Sequence, residues 1–198
     1  EVELADLVGT PHKDLVVLDN IYLGLKIYPG DGSGNFLAQT PIALPVACED
    51  AGDLSLADLD LDGDLDIVVA TGGSISPGVA RFLNLGNGQF FLFGETFGSD
   101  SRTVTTPDIN NDGKPEIILE TVPPPGFEYA QTRLLWGNFA PGHVLSFSIV
   151  LDVMPEAGSH WIRPADIDGD NDQDLLWSGA THHGVLVNQG GMTGFTYR

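Results

Sequence analysis

Residues 58–70 read DLDLDGDLDIVVA, five aspartates at alternate positions followed by a run of apolar residues. Carboxylates a few ångströms apart repel one another, so a turn that crowds them together works against folding unless a cation shares the space. The motif recurs: position 108 begins DINNDGKPEIILE and position 166 begins DIDGDNDQDLLWS, each an acidic nine-residue loop running into an apolar segment. A worn copy starts at position 6, DLVGTPHKDLVVL, where Asp6 and Asp14 keep the ends while Val8 and Thr10 replace the middle carboxylates.

The four starts lie 52, 50 and 58 residues apart, a period that indicates a repeat architecture. Each repeat has the same order. An alternating segment precedes the loop (VELADL, LSLADL, RTVTTPDI, WIRPADI) and an apolar one follows it (DLVVLD, DIVVATG, EIILETV, DLLWSGA). A third follows (GLKIYPG, VARFLNLG, TRLLWGN, GVLVNQG), and a Gly-rich turn leads to a fourth (NFLAQTPIAL, QFFLFGETF, VLSFSIVLDV, GFTYR). The turns supply the glycines and asparagines that hairpins use at positive φ, and no segment keeps a helical period. The expected fold is therefore all-β: a β-propeller of four-stranded antiparallel blades at about 1–52, 53–101, 102–158 and 159–198. Four blades can close on themselves or form part of a larger ring.

Calcium takes six to eight oxygen ligands, and carboxylates at loop positions 1, 3 and 5 with a backbone carbonyl at 7 can wrap it. The first intact loop offers Asp58, Asp60, Asp62, the carbonyl of Asp64, and Asp66 at position 9. The second offers Asp108, Asn110, Asp112, the carbonyl of Lys114, and Glu116; the third offers Asp166, Asp168, Asp170, the carbonyl of Asp172, and Asp174. Gly63, Gly113 and Asn171 at position 6 suit the sharp turn. An EF-hand would need Glu at position 12, where Val69, Leu119 and Trp177 stand instead. Magnesium fits less well because it holds its waters and demands a strict octahedron. Three calcium sites are expected, and none in the worn loop.

These loops resemble the Asp-x-Asp-x-Asp-Gly-x-x-Asp loops of FG-GAP and VCBS repeats, the family that includes integrin alpha-subunit propellers. The turn LNLGNGQF, echoed in YPGDGSGNF, is similar to the family's Asn-x-Gly-x-Gly-x-Phe pattern. The resemblance spans essentially the whole chain. It implies a calcium-stabilised propeller, usually of seven blades, secreted or at the cell surface, facing outside the cell or into a lumen. This chain departs from that pattern in having four repeats and one worn loop.

Twenty-eight acidic against 8 basic residues leave a formal charge of −20 in 198 residues, which argues against nucleic acid or an anionic membrane as partner. No apolar run is long enough to span a bilayer, so membrane insertion is not expected. The chain starts at Glu1 without Met, as a processed product or a fragment would. Cys48 is the single cysteine, read as a small buried apolar residue, with a reactive thiol as the alternative.

Outside the loops, His182 and His183 in GATHHGV could offer half a metal or catalytic site, but neighbours on a strand point to opposite faces and an ordinary loop is the plainer reading. His160 and Trp161, with Trp136 and Trp177, could line a sugar-binding surface or fill the space between blades. VPPPGFEY at 122–129 reads as a stiff surface connection or a partner contact. No catalytic constellation is visible, so no enzyme activity is expected. The leading expectation is an adhesion or interaction module that binds protein or glycan. The alternatives are a structural subunit self-associating through its terminal blades and their edges, and the propeller portion of a secreted carbohydrate-active enzyme.

Overall fold

The computed structural model describes residues 1–19, 24–37, 42–43, 51–72, 78–86, 88–96, 100–121, 131–136, 147–151, 161–179, 182–191 and 194–197. These residues form sixteen strands in four separate antiparallel sheets, with neighbours paired in chain order. The first sheet holds β1 (Val2–Ala5), β2 (Asp14–Asp19), β3 (Gly24–Tyr28) and β4 (Ile42–Ala43). The second holds β5 (Asp53–Ala57), β6 (Asp66–Thr71), β7 (Gly78–Asn84) and β8 (Phe90–Thr96). The third holds β9 (Ser101–Thr105), β10 (Ile117–Thr121), β11 (Gln131–Trp136) and β12 (Phe147–Leu151), and the fourth β13 (Trp161–Ala165), β14 (Asp174–Ser178), β15 (His183–Asn188) and β16 (Phe195–Tyr197). Among the described residues no helix is long and apolar enough to cross a membrane.

Register repeats with the sequence. Position 9 of the loop opens the second strand opposite an alanine that ends the first: Asp14 faces Ala5, Asp66 faces Ala57 and Asp174 faces Ala165. Every acidic loop therefore leaves its sheet at the same end. Within the predicted strand NFLAQTPIAL, Ile42–Ala43 form β4 and Phe36 makes an isolated bridge to Gly30; residues 38–41 and 44 lie outside the described residues.

The sheets pack face to face through three apolar layers. Val16, Leu18, Leu25 and Ile27 of the first sheet meet Leu54, Ile67, Val69, Ala80 and Phe82 of the second. The opposite face of that second sheet, with Val68, Ala70, Val79 and Leu83, meets Val104, Ile117 and Leu119 of the third. Ile118 of the third sheet, with Ile109 from its loop, meets Ile162, Leu175, Trp177 and Leu186 of the fourth. β6 and β7 are buried on both faces because a sheet lies on each side, which explains why their sequences are continuously apolar. β2 is buried on alternate residues only, and Leu176 and Ser178 of β14 are exposed.

Hydrogen bonds tie the first strands together. Asp53 Oδ2 accepts from Thr103 Oγ1 at 2.7 Å and from Val104 N at 3.1 Å, and Ser55 and Thr106 share a hydroxyl hydrogen bond of 2.7 Å. Arg163 of the fourth sheet brings its guanidinium within 3.7 Å of the same Asp53 carboxylate.

Candidate metal centre

Each intact loop is shaped by its own carboxylates. At position 1, Asp58 accepts from the amides of Asp62 and Gly63, Asp108 from those of Asp112 and Gly113, and Asp166 from those of Gly169 and Asn171. At position 5, Asp62, Asp112 and Asp170 each accept from the amide two residues on. The backbone turns through the left-handed region at position 6, at Gly63, Gly113 and Asn171, as the sequence predicted. It does so at position 4 as well, where Leu61 has φ 64°, Asn111 φ 56° and Gly169 φ 82°. The sequence of the first intact loop carries no sign of this, because leucine rarely adopts that conformation.

Two of the loops gather carboxylates. Oxygens of Asp58, Asp60 and Asp66 lie within 4.8 Å of one another, and so do oxygens of Asp166, Asp168 and Asp174. Positions 1, 3 and 9 thus converge, while the position 5 carboxylates serve the turn. Asp60 Oδ1 is buried with no hydrogen-bond partner. Burial raises the pKa of Asp60, and the charges of Asp62 and Asp58 raise it further. Burial lifts Asp66 to about 6, against the amides of Asn84 and Leu59 that favour its charged form. An orphaned buried oxygen among like charges in an all-oxygen donor set fits a hard divalent cation.

The second loop is built differently. Asn110 Oδ1 accepts from Asp112 N at 2.9 Å, and Glu116 Oε2 accepts from Ile109 N at 2.8 Å. Burial lifts Glu116 to about 7, with Asp112 and Asp108 adding to the effect. Lys114 is exposed beside it. Asn111 Nδ2 reaches the third loop, donating to Asn171 O at 2.9 Å and Asp172 Oδ1 at 2.8 Å, so the second and third loops touch.

The position 9 carboxylate has a second role that sequence reasoning missed. Asp66 is fully buried and accepts from Leu59 N at 2.8 Å and from Asn84 N at 2.7 Å, fastening the start of its loop to the end of β7. Asp174 does the same with Ile167 N and Asn188 N, each at 2.8 Å. Worn as it is, the first loop keeps this latch: Asp14 accepts from Leu7 N, Val8 N and Gly30 N. Asn84 and Asn188 then reach outward. Asn84 Nδ2 donates to Leu7 O of the preceding sheet at 2.9 Å, and Asn188 Nδ2 to Ile109 O at 2.8 Å. The Asn in NLG and NQG is the signal the sequence carries, and by itself it also reads as a turn residue.

The family model for FG-GAP-like repeats matches residues 6–69 and 58–119, more than half of the chain. The chain belongs to the FG-GAP-like repeat family. No curated protein matches it. Among solved structures it is similar, with a TM-score of 0.57 and 21% identity, to a lectin of Agrocybe aegerita described as specifically recognising non-reducing terminal N-acetylglucosamine. That match covers 98% of this chain and 49% of the lectin chain, so this chain spans about half the length of its structural neighbour.

The remaining candidates separate. Trp177 is buried in the layer between the third and fourth sheets, whereas Trp161 is 68% exposed with Arg163 lying 5.5 Å over its ring. His182 and His183 are both exposed. Cys48, residues 122–129, His160 and the side chain of Trp136 lie outside the described residues.

Proposed function

We propose that this chain is a calcium-stabilised, propeller-type module that binds a protein or a glycan outside the cell, and a binder rather than a catalyst. The observation that carries the calcium reading is the Asp58, Asp60 and Asp66 cluster around the orphaned Asp60 Oδ1, with its counterpart at Asp166, Asp168 and Asp174. When bound, the ion supplies positive charge that offsets the repulsion among these carboxylates. Asp62, Asp170 and the carbonyls of Asp64 and Asp172 would complete the two sets, and Asp108, Asn110, Asp112, the Lys114 carbonyl and Glu116 would hold a third, weaker ion. Four sheets stacked face to face, with their loops leaving at one end, support the propeller-blade reading.

The binding role is supported by the FG-GAP-like repeats and by the fold shared with a lectin, whose own ligand supplies the first probe. The test has two parts. Melting followed with excess calcium and with chelator should show a large loss of stability on chelation, and an unchanged transition would overturn the calcium reading. A glycan array that includes terminal N-acetylglucosamine, run beside an extracellular-protein array, should show calcium-dependent binding. Silence on both would remove the binding role and leave the fold.

A further inference from the structure

The repeat lets equivalent positions be compared, and at the two ends of the stack the comparison fails in the same way. Position 2 of each acidic loop is an apolar residue tucked under the following sheet: Leu7 is 1% exposed, Leu59 3% and Ile109 0%. Ile167, the same position in the fourth repeat, is 49% exposed. Position 11, in the middle of the second strand, points toward the following sheet and is buried as Val16, Val68 and Ile118, but exposed as Leu176. Arg163 pairs with Leu176 and Trp161 with Ser178, so both lie on this side of the fourth sheet, where Trp161 is exposed and Arg163 reaches toward Asp53 of the second sheet. At the other end, positions 10 and 12 point toward the preceding sheet. They are buried as Ile67 and Val69 and as Ile117 and Leu119, but only half-buried as Leu15 and Val17. Leu4 and Val2 pair with these two residues and are themselves exposed. Three apolar layers join four sheets, and among the described residues no layer joins the fourth to the first.

We propose that these two faces are the halves of one blade interface, and that a second copy of this chain completes it head to tail. The position 11 face of the fourth sheet, with Leu176, Trp161 and Ile167, seats on the position 10 and 12 face of the partner copy's first sheet. The partner's fourth sheet then returns to close on the first sheet of the starting copy. Complementarity argues for this occupant, since the faces are the two sides of the layer that already forms three times within the chain. The junction would lack the side-chain amide bond between repeats, because Gly30 stands where the second and fourth sheets have Asn84 and Asn188. A Cβ built on Gly30 would lie 2.1 Å from Lys13 O, so no side chain fits there. Pairing should therefore be reversible on dilution. The proposal rests on the stacked-blade reading, and on neither calcium nor a ligand.

Light scattering after gel filtration, over a dilution series in calcium-containing buffer, tests it separately from any binding assay. The expected mass is twice 21.1 kDa at high concentration, falling to the single-chain value on dilution. Leu4→Lys and Leu176→Lys, each on one of the two faces, should be single chains throughout with an unchanged circular dichroism spectrum. Leu85→Lys, at a comparably exposed turn residue outside both faces, should keep the doubled mass. Mixing Leu4→Lys with Leu176→Lys should restore the doubled mass through the one intact junction, as a head-to-tail contact requires. A single-chain mass for the unsubstituted protein at every concentration, doubled mass retained by both face variants, or no recovery on mixing would overturn the proposal. A ladder of larger masses would overturn closure by two copies.

Discussion

Residues 6–14 and 58–66 occupy the same place in successive sheets, between a first strand and a second, yet only the later stretch draws its carboxylates together. In both, the aspartate at position 9 is fully buried and fastens its loop to the end of the third strand through backbone amides. Val8 and Thr10 removed the middle carboxylates from the first loop without removing that latch. The difference separates two jobs that one aspartate holds at once: closing the loop, which Asp14 still does, and joining a cation site, which Asp66 does in addition.

Breaking the latch should have the largest effect. Asp14→Ala strips acceptors from Leu7 N, Val8 N and Gly30 N, and should cost about 3–5 kcal/mol of stability, equally in calcium and in chelator. Asp66→Ala should cost at least as much in calcium and less in chelator, because only there does the substitution also spoil a cation site. Urea unfolding in the two buffers measures both; a calcium-dependent loss for Asp14→Ala would mean that the worn loop still binds.

Asp60→Asn sharpens the comparison from the cation side. It relieves like-charge crowding around a buried oxygen and should be neutral or mildly stabilising in chelator, while lowering calcium affinity and costing roughly 1–3 kcal/mol in calcium. The change of sign between buffers is the signature. Loss of the same size in both would make Asp60 a structural residue like Asp14.

The pH dependence should reverse with the ion. In the folded chain Asp66 is raised from 3.8 to about 6 and Glu116 from 4.5 to about 7. A carboxyl raised on folding is stabilised while protonated, so its contribution is present below the unfolded value and lost as pH rises through the folded one. In chelator, melting temperature should therefore fall between about pH 4 and 7. In calcium the ion replaces the protons, and the calcium-dependent increment should grow across the same window. A chelator curve that rises through that range would show that the carboxylates are at ease without a cation.

Much of this was legible in the sequence for one reason: the acidic nonamer marks phase. Once its four copies are aligned, the strands on either side, the sheet count and the alternation of buried positions follow from local pattern. What could not be read depends on distance or on degeneracy. Asn84 and Leu7 are 77 residues apart, and nothing local distinguishes an asparagine that turns a hairpin from one that also holds the neighbouring sheet. Position 9 reads as a ligand because a carboxylate that accepts amides looks the same in sequence as one that meets an ion. The uncovered faces were hidden as well, since Leu15 and Val17 are as apolar as Ile67 and Val69 and differ only in what lies against them.

Position 4 offers the smallest effect and the cleanest one. The same left-handed turn is made by glycine in the loop starting at Asp166, by asparagine in that at Asp108 and by leucine in that at Asp58. Leu61 is 51% exposed, so its side chain returns little burial for the strain. A non-glycine residue in this region costs about 1–2 kcal/mol, and the greater unfolded-state freedom of glycine takes back about 0.5–1. Leu61→Gly should thus raise stability by roughly 0.5–1 kcal/mol in urea unfolding, with calcium affinity unchanged. If it also tightened calcium binding, the strain would be one that the ion-free loop can relax, and the leucine would be setting affinity rather than merely being tolerated. If it lowered stability, contacts of the half-exposed leucine would outweigh the backbone term, and the resemblance among the three loops would end at their carboxylates.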